Sequence, residues 1–100
     1  MTKANPKKKS ELIRLRTIGL AIKDCWVIDP PSESVVLYAT PYLNAICSID
    51  YTTDEYGLDH GDIIVAYLLS NIQQWRGGSA RMAKADLKDH LDWHNGGKPE

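Results

Sequence analysis

The last part of the sequence carries a carboxylate and two histidines at a spacing that suits a metal. Asp86, His90 and His94 are each four residues apart, so their side chains share one stripe of a predicted helix. Zinc accepts such ligands, but no fourth ligand is evident nearby, and Leu91 stands where zinc-protease helices have a glutamate after the first histidine. We therefore predict a solvated helix face here, with neither a metal nor another cofactor.

Nucleophilic catalysis is not indicated either. No serine lies in a Gly-x-Ser-x-Gly elbow, and the two cysteines, Cys25 and Cys47, fall on apolar stripes. Buried thiols of this kind are poor nucleophiles, and in the cytoplasm they usually stay reduced as small core residues. The sequence predicts a protein that is not an enzyme and that acts by binding.

A glycine pair beside an arginine has the composition of an anion site. Residues 76–79 read Arg-Gly-Gly-Ser and precede a predicted helix, whose first amides can bind an anion. A glycine stop between two helices explains the same residues, and neither a Walker nor a Gly-x-Gly-x-x-Gly pattern is present. We therefore predict a helix boundary at this point.

Basic residues are concentrated at the N-terminal end. Residues 1–23 hold seven basic residues and one acidic residue, whereas residues 24–100 hold five basic and twelve acidic residues. The net charge of −1 is therefore the sum of +6 in the first part and −7 in the second. Residues 1–9 are predicted to be a flexible, solvated basic tail. A nucleic-acid-binding accessory protein that uses this arm is the alternative function.

The predicted last helix adds a second group of charges. Its basic side chains on one face are Arg81, Lys84 and Lys88. Its acids, which would repel phosphate, are Asp86, Asp89 and Asp92. Nucleic-acid binding is therefore ranked below protein binding.

Length and composition indicate one small domain with a thin core. The chain has 100 residues, of which 43% are hydrophobic, and chains of this size often bury more surface by pairing with a copy of themselves. We predict a homodimer. No apolar stretch follows the N-terminal lysines as in a signal peptide, and the longest apolar run, residues 63–69, is too short to span a membrane. A cytoplasmic location without membrane insertion is expected.

The first block of the chain is predicted to be a helix over residues 10–25, with Ser10 as the N-cap. Leu15, Ile18, Ile22 and Cys25 recur at helical spacing and form its apolar face. Residues 26–28 are predicted to be a short extended segment. The prolines in Asp29-Pro30-Pro31-Ser32 then predict a turn.

The middle of the chain is the ambiguous part. The β-branched and aromatic residues 35–38 predict a strand, and Thr40-Pro41 favours a helix from there to about residue 50. Residues 45–51 also alternate as a strand would, which leaves an α+β fold with a central hairpin at about residues 35–52 as the alternative.

The third block predicts two helices separated by Gly77-Gly78. The first runs through residues 63–75 and is apolar nearly all round, and the second runs through residues 80–93 with Ser79 as its cap. The fold is therefore predicted to be mainly α, with three to four helices and one or two short strands. Residues 10–94 form its single domain and residues 95–100 a polar tail.

Tyrosine and tryptophan are the residues most suggestive of a protein partner. The chain has five tyrosines, three tryptophans and no phenylalanine, and such rings combine apolar area with a polar tip. The predicted partner-binding residues are Tyr38, Tyr42, Tyr67, Leu68, Asn71 and Trp75.

A resemblance to a known family is carried by residues 39–49, Ala-Thr-Pro-Tyr-Leu-Asn-Ala-Ile-Cys-Ser-Ile, and by the apolar helix that ends in Gln74-Trp75-Arg76-Gly77. Both stretches resemble bacterial quorum-sensing antiactivators of the QslA type. The resemblance covers the middle of the chain. It implies a small non-enzymatic protein that binds the ligand-binding domain of a LuxR-type transcription factor and prevents its dimerisation. Together with the aromatic residues, it leads us to expect a regulator that binds and inhibits another protein.

Overall fold

Four α-helices and one hairpin make up most of residues 7–100, which are the residues that this computed structural model describes. After a 3₁₀ turn at Lys9–Glu11, the helices are α1 (Leu15–Ile28), α2 (Glu33–Ile46), α3 (Gly61–Asn71) and α4 (Gly78–Asn95). The antiparallel strands β1 (Glu55–Tyr56) and β2 (Asp59–His60) lie between α2 and α3. The prediction of a mainly α fold with one or two short strands is confirmed.

The four helices pack as a closed ring in which each contacts the next and α4 returns to α1. The domain measures 36 × 35 × 19 Å, so it is a flat body with two broad faces. Its centre is formed by side chains that are completely buried, among them Leu15, Ile46, Val65, Leu68 and Leu87. Helices in such a thin body each leave a wide stripe on the surface.

Helix α1 begins later and ends later than predicted. Ser10 lies in the 3₁₀ turn, and the helix begins at Leu15, whose amide donates to the Asp50 carbonyl. The extended segment predicted for residues 26–28 is wrong, because Trp26 adds one more turn to the buried stripe and keeps the chain helical. Val27 and Ile28 are thereby left 84% and 86% exposed.

The strand predicted at residues 35–38 is also wrong, since these residues belong to α2. Val35, Ala39 and Leu43 recur at helical spacing and are buried, and this packing outweighs the β-propensity of the valines. Thr40 does not cap a helix; its hydroxyl donates to the Val36 carbonyl, and Pro41 lies inside the helix. The hairpin is present, but at residues 55–60 instead of 35–52.

The helix predicted over residues 63–75 is shorter than expected at its C-terminal end. Helix α3 ends at Asn71, and the chain then turns while the side chains of Ile72 and Trp75 stay buried. Gly77, with φ at 114°, is the N-cap of α4, so the cap predicted at Ser79 is wrong. Only glycine adopts such a φ without strain, which explains why the chain changes direction here.

The two ends of the described chain meet. The Pro99 carbonyl accepts hydrogen bonds from the Lys9 amide, at 2.9 Å, and from the Trp93 indole, at 2.8 Å. Lys7 lies 3.1 Å from an Asp89 carboxylate oxygen, and the Lys9 ammonium lies 4.7 Å from the centre of the Tyr51 ring. Residues 1–6 of the predicted basic tail lie outside the described residues.

Candidate functional site

The stripe of Asp86, His90 and His94 does not form a ligand set. His90 is completely buried, and its Nε2 lies 2.6 Å from the Ile13 carbonyl oxygen. The prediction of a solvated face is therefore wrong for this residue. Within residues 7–100, no group of three His, Cys, Asp or Glu side chains is placed to hold a metal ion.

His94 points to a different part of the fold. Its Nδ1 lies 2.8 Å from the Thr52 hydroxyl, and its Nε2 lies 3.6 Å from an Asp62 carboxylate oxygen. The imidazole thus connects the end of α4 with the loop after α2 and with the first turn of α3. His90 and His94 serve two separate packing contacts.

The position of His90 defines the tautomer of its neutral form. Nε2 faces a carbonyl and therefore carries a proton, so in the neutral imidazole Nδ1 is an acceptor with no hydrogen-bond partner among the described residues. Burial lowers the pKa of His90, against the opposing effects of the Ile13 hydrogen bond and of Asp89 and Asp86. The neutral imidazole is the form that the folded state stabilises.

The free energy of unfolding is expected to fall as the pH drops from about 7 towards about 5. The unfolded chain takes up a proton on His90 near its ordinary pKa of about 6.5, whereas the folded chain does so only at a lower pH. His90→Gln, which keeps a donor for the Ile13 carbonyl without titrating, should make this dependence shallower. Urea unfolding followed by circular dichroism at several pH values measures it.

The matched control is His60→Gln, which removes an exposed imidazole on β2 instead. We expect this variant to keep the pH dependence of the unmodified chain. An unchanged slope in His90→Gln would show that His90 is not the group responsible.

The two cysteines are free thiols and half-buried. Burial raises the pKa of the Cys47 thiol, against a smaller lowering by Lys23. Its sulfur also faces Gly19 on α1, where a Cβ would approach it to 2.6 Å. Cys47 therefore helps to pack α1 against the end of α2.

A shallow groove lies between α1 and α4. It has a volume of about 260 Å³ and is lined mainly by apolar side chains, with Trp75 in its wall and Asp86 at its edge. Burial, and then the neighbouring Asp89, raise the pKa of the Asp86 carboxyl. The groove is smaller than the range of about 300–1,000 Å³ that small-molecule sites occupy.

The tyrosines predicted to bind a partner do come together on one surface. The rings of Tyr42 on α2 and Tyr67 on α3 are 5.4 Å apart at their centres. Tyr38 lies one turn before Tyr42 and is 64% exposed, and Ile63 lies one turn before Tyr67. Tyr67 is itself 53% exposed. We call these four residues and Asn71, which lies one turn after Tyr67, the tyrosine surface.

The comparisons with protein-family models, curated proteins and solved structures found no match.

Two of the predicted partner-binding residues do not lie on the tyrosine surface. Leu68 is completely buried, and Trp75 is buried with its ring edge-on to Trp26 at 5.4 Å. Asn71 is half-buried and donates from its side chain to the Tyr67 carbonyl. Leu68 and Trp75 hold the ring of helices together and are not available to a partner.

A second exposed apolar surface was not predicted. Val27 and Ile28 end α1, and Leu37 on α2 lies beside Pro30 and Pro31 around a shallow depression of about 710 Å³. The signal was present in the sequence, because extending the α1 stripe past Cys25 places Val27 and Ile28 opposite the buried side. We call Val27 and Ile28, with which α1 ends, the aliphatic corner.

No helix of the described chain combines the length and apolar character that crossing a bilayer requires.

Proposed function

We propose that this protein is a non-enzymatic regulator that binds another protein through the tyrosine surface and inhibits it. The observation that carries the proposal is the pairing of Tyr42 and Tyr67 across two helices, with Tyr38 and Tyr67 more than half exposed. Tyrosines on rigid helices offer a large contact area and a hydroxyl at little cost in conformational entropy. Such residues are enriched among those that dominate binding energy at protein interfaces.

The way in which the polar side chains are used supports a binding role. His90 donates to a backbone carbonyl, His94 faces Thr52, and Arg16 lies 2.6 Å from an Asp50 carboxylate oxygen. These groups stabilise contacts between distant parts of the chain. The exposed apolar and aromatic area is then what the domain offers to another molecule.

The first partner to test is the ligand-binding domain of a LuxR-type transcription factor. The residues that suggested this target include Tyr42, whose ring belongs to the tyrosine surface. In this mechanism the tyrosine surface covers the area that the receptor uses for its own dimer, so the receptor loses the dimer that binds DNA.

Mixing the purified chain with such a ligand-binding domain is expected to convert the receptor dimer into a heterodimer. Size-exclusion chromatography with light scattering measures the change in mass. Tyr67→Ala should weaken the complex by about 2 kcal/mol, as expected of an aromatic side chain central to an interface. Near-ultraviolet circular dichroism checks that the variant is folded.

The matched control is Val27→Ser, which removes an exposed apolar side chain from the aliphatic corner. This variant should bind as the unmodified chain does. If Val27→Ser loses the partner while Tyr67→Ala keeps it, the tyrosine surface is not the interface. Light scattering of the chain alone tests the homodimer in the same experiment.

A further inference from the structure

Helix α4 has charges of opposite sign on its two sides. Asp86 lines the groove towards α1 and Asp89 pairs with Lys7, so these acids face away from α3. Lys84 and Lys88 line a depression between α4 and α3 instead. The fold thus places Asp86 and Asp89 away from Lys84 and Lys88, whereas the exposed Asp92 lies one turn after Lys88.

The bases on the side of α4 that faces α3 make no ion pair among the described residues. Among the described residues, no carboxylate oxygen lies within 4.0 Å of the four bases on this side, and residues 1–6 contain no acid. The four bases are Arg76, Arg81, Lys84 and Lys88. Lys84 donates to the Gln73 and Trp75 carbonyls, and burial together with Arg76 and Lys88 lowers its pKa. Mutual repulsion of these cations would be relieved by an acidic ligand.

These bases border a groove along α3 and α4 that consists of two neighbouring depressions, of about 400 and 440 Å³. The depressions share Gln73 and Lys84 in their linings, and Ala66, Leu69 and Leu91 form the apolar part of the first. From residue 80 to residue 91 the groove follows α4 for about 16 Å, at the helical rise of about 1.5 Å per residue. That length matches about three turns of a second helix.

The outer side of α3 joins this groove to the tyrosine surface. Ile64, Val65 and Leu68 face the core, so the opposite side of the helix is exposed. Ala66 and Ser70 are exposed on that side, between Tyr67 and the groove, and their small side chains allow a close approach. A molecule lying along α3 would contact tyrosines on one flank and lysines on the other.

We infer that the partner presents an amphipathic helix with an acidic edge, which lies along α3 with that edge on Lys84 and Lys88. This inference rests on the proposed function and adds the chemistry of the partner to it. The apolar lining favours a protein helix over a nucleic acid, because phosphates gain nothing from Ala66, Leu69 and Leu91.

A labelled synthetic helix tests the inference directly. The probe is a fluorescein-labelled peptide of about 18 residues with leucine and alanine on one face and glutamate along one edge, and fluorescence anisotropy measures its binding. We expect Lys88→Glu to weaken binding by about tenfold at low salt and to have less effect at high salt. Lys84 is left unchanged because its ammonium links the end of α3 to α4.

Two controls separate charge at the groove from charge in general. Arg14→Glu reverses an exposed base at the start of α1 and should leave binding unchanged, and a peptide with glutamine in place of glutamate should bind weakly. Equal binding of the two peptides, or no effect of Lys88→Glu, would overturn the inference. Duplex DNA that binds with a steep salt dependence and is lost in Lys88→Glu, while the peptide fails, would overturn it in favour of a phosphate-binding groove.

The outcomes also distinguish this inference from the proposed function. Suppose that Tyr67→Ala weakens the receptor complex and Lys88→Glu leaves both receptor and peptide binding unchanged. The proposed function is then supported, and the inference of an acidic helix is wrong. If neither variant affects any complex, both are wrong.

Discussion

Trp75→Ala is expected to lower the free energy of unfolding by about 3–5 kcal/mol, which is the usual range for removing a buried aromatic side chain. Trp75 is 5% exposed, packs edge-on against Trp26, and lies in the link between α3 and α4. Domains of this size are stable by only about 5–15 kcal/mol in total, so the loss is a large fraction of the whole. Urea unfolding followed by circular dichroism measures it.

This result would also correct the role predicted for Trp75. A partner lost in Trp75→Ala would be lost because the fold weakens, whereas Tyr67→Ala should change the free energy of unfolding by less than about 1 kcal/mol. Tyr67 is the matched control because its ring is more than half exposed. Equal unfolding midpoints for Trp75→Ala and the unmodified chain would show that Trp75 is not a core residue.

Gly61→Ala is expected to destabilise the domain by about 2–3 kcal/mol. A Cβ at Gly61 would lie 2.8 Å from the Thr52 carbonyl oxygen and 2.9 Å from that of Asp54. Both obstacles are backbone atoms, so no side chain can rotate away to make room. The Gly61 amide also donates to the Asp54 carbonyl at 2.8 Å, which holds the chain in this position. Thermal and urea unfolding measure the effect.

Gly78→Ala is the control for Gly61→Ala. A Cβ at Gly78, the first residue of α4, meets no atom within 4 Å. Alanine also loses less conformational entropy than glycine on entering a helix, so this variant should be neutral or more stable by up to about 1 kcal/mol. Destabilisation of the two variants by the same amount would show that crowding at Thr52 is not the cause.

Proline and glycine let the sequence predict where one helix is separated from the next, but not the residues at which the helices end. A break was predicted at Asp29-Pro30 and another at Gly77-Gly78, whereas α1 continues to Ile28 and α3 stops at Asn71. Helix α2 was predicted incorrectly because local signals at Val35 and Thr40-Pro41 both point away from a continuous helix. The apolar stripe from Val35 through Leu43 stabilises the helix only when the rest of the core is present to bury it.

The candidate surface could be predicted only in part. Of the three tyrosines predicted to bind a partner, Tyr38 and Tyr67 are exposed and Tyr42 is half-buried. Helix α3 is apolar on nearly all sides, and its periodicity does not tell which stripe faces inward. Leu68 was therefore placed on the surface and Ile63 was missed. His90 shows the converse problem, since a polar stripe with Asp86 and His94 gave no sign that its middle residue is enclosed.

The hydrogen bond between Lys9 and Pro99 has a practical consequence for handling the protein. Because these residues are joined at 2.9 Å, the chain enters and leaves the described domain near the same point. A short peptide joining residue 7 to residue 100 would close this range into a circle. The hairpin turn at Gly57-Leu58, where Leu58 is fully solvated, then provides a place to reopen it in a permuted version.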